Sequence, residues 1–273
     1  MPVDVDAVVV ANTRLSDEYN VLALRAPAIA RAARPGQFVM LRATPAGSDP
    51  LLRRPFSIFE VLRDARGAPI GISVLNKRVG VGTRLLYGAQ PSTALACLGP
   101  LGRPFPPVDP PAEAFLVAGG VGLAPFLTLA EALAARGTRT TLFYGARRAA
   151  DLFFADRFAD LGVRLELATE DGSLGHRGLV TVPLEAALAR AAGAVVIYAC
   201  GPTPMMAAAA RLAREAGRRC LVSLEPTMGC GLGGCYSCVV PVAGDGMAHF
   251  VRACVEGPVF DAAAIRWDRL AAR

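Results

Sequence analysis

Along the 273-residue chain the rhythm of apolar and polar positions changes twice. Over the first hundred residues, short alternating or apolar runs at 5–11, 21–24, 37–42, 56–62 and 70–75 are set apart by Pro, Gly, Asp and Asn. Runs of that period and punctuation predict a small antiparallel barrel or sandwich. Residues 99–111 hold six prolines in thirteen positions and read as a linker. Beyond it the pattern becomes apolar strand, glycine turn and amphipathic helix, repeated. Strands are predicted at 114–118, 140–144, 164–168, 194–199 and 220–224, with helices at 124–136, 183–192 and 204–216. This alternation predicts a doubly wound parallel sheet. The final region is rich in glycine and cysteine and has no room for a core of its own. The expected organisation is a β-barrel over 1–103, an α/β domain over 112–222 and a small C-terminal region over 223–273.

Composition narrows the class. Hydrophobic residues make up 53% and charged residues 19%, which supplies a packed core and excludes a disordered chain. Mean hydropathy is +0.40, yet no stretch approaches the roughly 18 uninterrupted apolar residues of a membrane span. The first residues carry Asp4 and Asp6 without a basic flank, so the expectation is a cytoplasmic protein without a secretory signal. Lys and Arg number 29 against 23 Asp and Glu. However, Lys77 is the only lysine, and the arginines are scattered, with no run longer than pairs such as Arg53-Arg54 and Arg147-Arg148. A polyanion-binding face needs a cluster, so no nucleic-acid partner is expected.

Of the seven cysteines, four lie within the last 44 residues. An odd total and this crowding argue against a disulfide framework. Cys230, Cys235, Cys238 and Cys254 give the spacing C-x4-C-x2-C-x15-C, the pattern of a plant-type [2Fe–2S] site. Two sulfide-bridged irons need four thiolates converging from a loop that wraps closely. Gly229, Gly231, Gly233 and Gly234 permit that wrapping and bring backbone N–H groups to the sulfurs. Structural zinc is the rival, although it favours C-x2-C knuckles or histidine partners, and His249 lies outside the spacing. Buried cysteines packed as small hydrophobes are the third reading.

Three other segments carry phosphate chemistry. Residues 115–126 read as strand, glycine turn and helix start. Gly119, Gly120 and Gly122 let a diphosphate approach the backbone, the helix N-terminus stabilises its charge, and Pro125 suits a first helical turn. A plain strand–helix connection is the alternative. In the barrel region, Arg54-Pro55-Phe56-Ser57 offers a guanidinium to a phosphate and a hydroxyl to a flavin ring, or else forms an edge strand with an exposed arginine. Gly80, Gly82 and Thr83 offer N–H groups and a hydroxyl to a second phosphate contact, or make an ordinary turn.

Together, R-P-x-S in a barrel, a downstream G-T, G-G-x-G-x-A-P and Cys200-Gly201-Pro202 resemble the ferredoxin–NADP reductase superfamily. The run S-L-E-P-T-M-G-C-G-L-G-G-C at 223–235 and the segment 169–178 narrow this. Over essentially its full length the chain resembles the electron-transfer subunits of NAD-dependent (class 1B) dihydroorotate dehydrogenases. The resemblance implies that Arg54, Pro55, Phe56 and Ser57 bind FAD with Leu75, Asn76, Lys77, Gly82 and Thr83. It implies that Gly119, Gly120 and Gly122 face the diphosphate of NAD, with Cys200 beside the nicotinamide and Glu225 near the flavin–nicotinamide contact. The four clustered cysteines would hold the [2Fe–2S] centre. The chain departs from the family at Asn76, where an aromatic is common. Cys97 and Cys220 match no ligand and read as structural thiols; Met205 and Met206 read as packing at a helix start.

NAD exchanges a hydride, an iron–sulfur cluster single electrons, and flavin either, so FAD is expected between the other two. The implied partner is an FMN-containing dihydroorotate dehydrogenase catalytic subunit, in a heterotetramer of two of each. That complex would oxidise dihydroorotate to orotate in pyrimidine synthesis, its electrons leaving through this chain to NAD+. Two other readings stand beside this one. The first is the electron-transfer subunit of a related NAD(P)-dependent flavin and iron–sulfur reductase, such as a sulfide dehydrogenase or cytosolic hydrogenase. There Arg147-Arg148 would meet a 2′-phosphate. The second is a zinc-stabilised adaptor without catalysis.

Overall fold

A computed structural model describes residues 1–45, 47–244 and 249–270. The N-terminal strands are β1 (Val3–Arg14), β2 (Tyr19–Arg25), β3 (Phe38–Arg42), β4 (Arg54–Arg63), β5 (Pro69–Lys77) and β6 (Ala94–Leu101). They close an antiparallel barrel in the order β1-β2-β5-β4-β3-β6, with β1 pairing β6. Period two points Ala7 and Val9, Leu22 and Leu24, and Ile72 and Val74 into one core. The short helix α1 (Pro27–Ala32) adds Ile29 to that core, and α2 (Val81–Tyr87) grows directly from the Gly80 turn. Strand β6 runs into the stretch that reads as a linker. Gly99 and Pro100 strip it of a strand signature, yet Leu98 and Leu101 are buried there by pairing with β3.

The chain then forms β7 (Glu113–Gly119), α3 (Phe126–Ala134), β8 (Thr140–Ala146), α4 (Ala155–Asp160), β9 (Arg164–Thr169) and β10 (His176–Arg177). It continues through α5 (Thr181–Arg190), β11 (Val195–Cys200), α6 (Thr203–Glu215) and β12 (Arg219–Ser223). The strands are parallel, in the order β10-β9-β8-β7-β11-β12. Alternate residues of β7 enter opposite cores. Phe115 and Val117 join α5 and α6, whereas Leu116 and Ala118 join α3 and α4. The sheet is doubly wound. Its strand order reverses between β7 and β11, which opens a crevice at their C-terminal ends.

The last segment comprises β13 (Val239–Val242), β14 (His249–Arg252) and β15 (Val259–Asp261). The first two pair as a hairpin, and β15 lies antiparallel along β12 as a seventh strand of the large sheet. The segment has no separate core. Val240, Val242, Ala253 and Ile265 pack in one cluster with Met40, Leu98 and Leu101 of the barrel and Val222 of the sheet.

Aromatic side chains join barrel to sheet. Phe105 sits 5.8 Å from Phe126 and 5.4 Å from Tyr198, while Phe59 meets Phe154 at 4.9 Å. Each such pair contributes about 0.5–1.5 kcal/mol beyond its buried area. Arg157 of α4 also reaches Glu60 of β4 at 2.7 Å. Among the described residues, no helix is long and apolar enough to cross a membrane.

Candidate functional site

The crevice at the reversal of strand order widens into a cleft of about 1050 Å³. The sheet supplies Gly119, Gly120 and Gly122 after β7, Gly145–Arg148 after β8, and Gly201–Met206 after β11. The barrel supplies Glu18, Tyr19 and Lys77, and the C-terminal segment supplies Glu225, Pro226, Val239, Pro241 and Phe250.

The three glycines do different work. Gly120 has φ +55 and open space where a side chain would stand, so its backbone is bare toward the cleft. A Cβ on Gly122 would meet the Cys200 carbonyl oxygen at 2.2 Å, and one on Gly119 would meet Pro202 and Met205. These two glycines let the β7 and β11 turns touch. Met205 therefore packs against the turn, and Met206 is buried, as their place at a helix start suggests.

Cys200 is fully buried, and its Sγ donates to Glu225 Oε1 at 3.9 Å. Burial, reinforced by the neighbouring carboxylate, holds the thiol well above its ordinary range, so it remains protonated at neutral pH. Glu225 is exposed, but toward a cleft walled by protein, and desolvation raises its carboxyl in turn.

On the barrel, Arg54 lies against Gly82: a Cβ there would stand 3.3 Å from the Arg54 Nε. Arg54 Nη1 donates to the Leu52 carbonyl. The Thr83 hydroxyl accepts from the Val79 and Gly80 N–H groups at 2.9 and 2.8 Å. Asn76 is buried and donates to the Thr83 carbonyl at 3.0 Å and to Asn20 Oδ1 at 2.7 Å. Its own Oδ1 is buried without a hydrogen-bond partner among the described residues. Arg54, Asn76, Gly82 and Thr83 thus form one constellation. A glycine turn packed directly against a guanidinium fits a dinucleotide diphosphate. Phe56 and Leu75 turn their side chains inward, whereas Pro55 and Ser57 are half-buried. Lys77 lies over the Tyr19 ring at 5.0 Å and 3.8 Å from Glu18. Glu18 ends a turn and Tyr19 opens β2; neither carries a motif, and sequence reasoning missed them.

The four clustered cysteines stand as two pairs. Cys238 and Cys254 are buried with their sulfurs 3.3 Å apart, while Cys235 is exposed beside Cys230. Among the described residues no three potential ligands converge on a single ion position. Two adjacent thiol pairs fit two irons with two thiolates each. The Leu232 N–H donates to Cys230 Sγ at 3.3 Å, and the Ser237 hydroxyl lies 3.2 Å from Cys235 Sγ. Gly231 and Gly233 have φ +74 and +82, which let the loop wrap so tightly. The Ser237 hydroxyl, then backbone N–H groups and Cys230, pull the Cys235 thiol down to about 6. Burial, then the neighbouring Cys238, pushes Cys254 up to about 12. Cys235 offers a ready thiolate, whereas Cys254 deprotonates as it takes up a cation. The two remaining cysteines, Cys97 and Cys220, are buried in the cores with raised thiols, as structural residues should be.

Relatives match nearly the whole chain. A family model described as the iron–sulfur cluster binding domain of dihydroorotate dehydrogenase B matches residues 225–266, and an oxidoreductase NAD-binding domain matches 116–211. The chain is 37% identical over 264 residues to the dihydroorotate dehydrogenase B (NAD(+)) electron transfer subunit of Desulforamulus reducens, covering 96% of this chain and 98% of that one. Against the subunit of the same name from Geobacillus kaustophilus it is 39% identical over 256 residues, with 93% and 95% covered. A solved NADH-dependent reduced ferredoxin-NADP oxidoreductase superposes with a TM-score of 0.84 at 30% identity, over 97% of this chain and 91% of that chain. The ferredoxin reductase of carbazole 1,9a-dioxygenase, at 23% identity and a TM-score of 0.65 over 80% of this chain and 67% of that one, shares the fold. With the cleft, the barrel turn and the paired cysteines in place, this chain belongs to the family of dihydroorotate dehydrogenase B (NAD(+)) electron transfer subunits.

Proposed function

We propose that the chain receives electrons from a dihydroorotate-oxidising catalytic partner subunit and delivers them to NAD+, in the route that makes pyrimidines. The observation that carries this reading is the continuity of cleft and cysteine loop. Glu225 lines the cleft, and Cys230 follows five residues later. At full extension that is roughly 17 Å, so both sites belong to one short path. The reading includes FMN in the partner, a complex of two copies of each subunit, a cytoplasmic location, and functional boundaries at 1–103, 112–222 and 223–273.

The cofactors are FAD, a [2Fe–2S] cluster and NAD. FAD, when bound, exchanges a hydride with nicotinamide and single electrons with the cluster. Every other role falls to side chains and backbone. Arg54 and the Gly82–Thr83 turn bind the FAD diphosphate, and Asn76 positions that turn from below. Pro55 and Phe56 stiffen the strand that presents the Ser57 hydroxyl, with Leu75 and Lys77 flanking it. Gly119, Gly120 and Gly122 shape the NAD diphosphate site. Cys200, a neutral thiol, braces Glu225 at the cleft wall beside the nicotinamide. Cys230, Cys235, Cys238 and Cys254 hold the irons. The rim favours NAD over NADP: Arg148 is engaged by Asp151 at 3.1 Å, and Asp151 and Glu170 present carboxylates to the cleft. Carboxylates accept from ribose hydroxyls and repel a 2′-phosphate.

Three outcomes check these assignments. Arg54→Ala should weaken FAD retention by about 2–3 kcal/mol, roughly 30- to 150-fold in Kd. Unchanged flavin occupancy after dialysis would reduce Arg54 to an edge-strand residue. Cys235→Ser should abolish the reduced-cluster EPR signal while FAD stays bound, because the two sites draw on different segments; loss of both together would contradict that separation. The purified chain should pass electrons from NADH to artificial acceptors yet leave dihydroorotate untouched. Adding the FMN-containing catalytic subunit should start dihydroorotate-dependent NAD+ reduction. If the mixture stays inactive with both flavins and the cluster intact, the partner assignment is wrong.

A further inference from the structure

A second cavity, of about 430 Å³, opens between the barrel and the cysteine loop. Asp4, Arg42 and Arg53 line it from the barrel, and Gly229 and Cys230 line it from the loop. Arg53 pairs through Nη2 with Asp4 Oδ2 at 2.8 Å, and its side chain is 17% exposed. The Nη1 of Arg53 and the Nε of Arg42 are buried with no hydrogen-bond partner among the described residues. Guanidinium nitrogens withdrawn from water and left unpaired are costly, and a facing negative charge offsets that cost. Elsewhere on the loop, Arg252 donates to the Gly233 carbonyl but is balanced by Glu256 at 2.8 Å. Around the second cavity, two cations oppose one carboxylate, which leaves a net positive wall facing Cys230.

We propose that Arg42 and Arg53, opposed by Asp4, raise the reduction potential of the cluster held at Cys230. The proposal rests on the [2Fe–2S] reading above. A cluster ligated by four thiolates gains one further negative charge on reduction. A nearby cation favours the reduced form and lifts the potential, and a nearby carboxylate lowers it. Arg42 and Arg53 make no part of the cluster's ligation; they act through the field across the cavity.

The test is an EPR-monitored redox titration of the full chain loaded with FAD and cluster. Arg42→Gln and Arg53→Gln should each move the cluster midpoint to more negative values. Arg53→Lys, which keeps the charge, should stay near the wild type. Asp4→Asn should move the midpoint the other way, and this outward-facing strand residue reads the sign even where an arginine variant loses its cluster. Loosened packing would not produce opposite signs. Midpoints that coincide across these variants, or an Asp4→Asn shift in the same direction as Arg53→Gln, would overturn the proposal. Absence of any reduced [2Fe–2S] signal in the wild type would instead overturn the cluster reading beneath it.

Discussion

Everything in this molecule hangs on the C-terminal segment having too little apolar surface to fold by itself. Val240, Val242, Ala253 and Ile265 find burial only in a core shared with Met40 and Leu101 of the barrel and Val222 of the sheet. The loop approaches so closely that a Cβ on Gly231 would stand 2.7 Å from Met40 Cγ. Strand β15 hydrogen-bonds along β12, and the Arg103 N–H donates to the Gly257 carbonyl at 2.6 Å. The cysteine loop is therefore fastened to both other units. A packed interior has few continuous deformations, so one burial constraint sets the spacing of three sites.

Electrostatics follow from the same arrangement. At the nucleotide end, burial holds the Cys200 thiol well above its ordinary range and raises the Glu225 carboxyl beside it. At the opposite end, the exposed Cys235 is drawn toward its thiolate by hydrogen-bond donors, while burial pushes the Cys254 thiol up. The chain thus runs from a desolvated thiol and carboxyl beside the cleft to a surface loop that gathers four thiols. The exposed Cys235 leaves that end of the chain within reach of another protein.

Local signals carried much of this. The C-x4-C-x2-C spacing and the Gly119–Gly122 turn were legible because metal ligation and close backbone approach demand particular residues at particular intervals. The parallel sheet showed itself through strands buried on both faces. What escaped has a common cause, dependence on distant partners. Strand β6 carries Gly99 and Pro100 and becomes a strand only when β1 and β3 close around it. Strand β15 joins its sheet from beyond the cysteine loop. Tyr19 has no motif and acquires a role because Phe153 packs on it at 5.1 Å and Lys77 covers its ring. Gly122 was read as a phosphate contact, and the structure adds a steric reason for it that no spacing rule contains.

The central claim is that one rigid chain joins a two-electron site to a one-electron site without help from another protein. The most direct measurement is an anaerobic NADH titration of the purified chain, with visible absorption and EPR recorded on the same samples. The account predicts flavin bleaching accompanied by the rhombic signal of a reduced [2Fe–2S] cluster. Flavin bleaching with a cluster that stays silent under excess NADH, yet responds to dithionite, would contradict it.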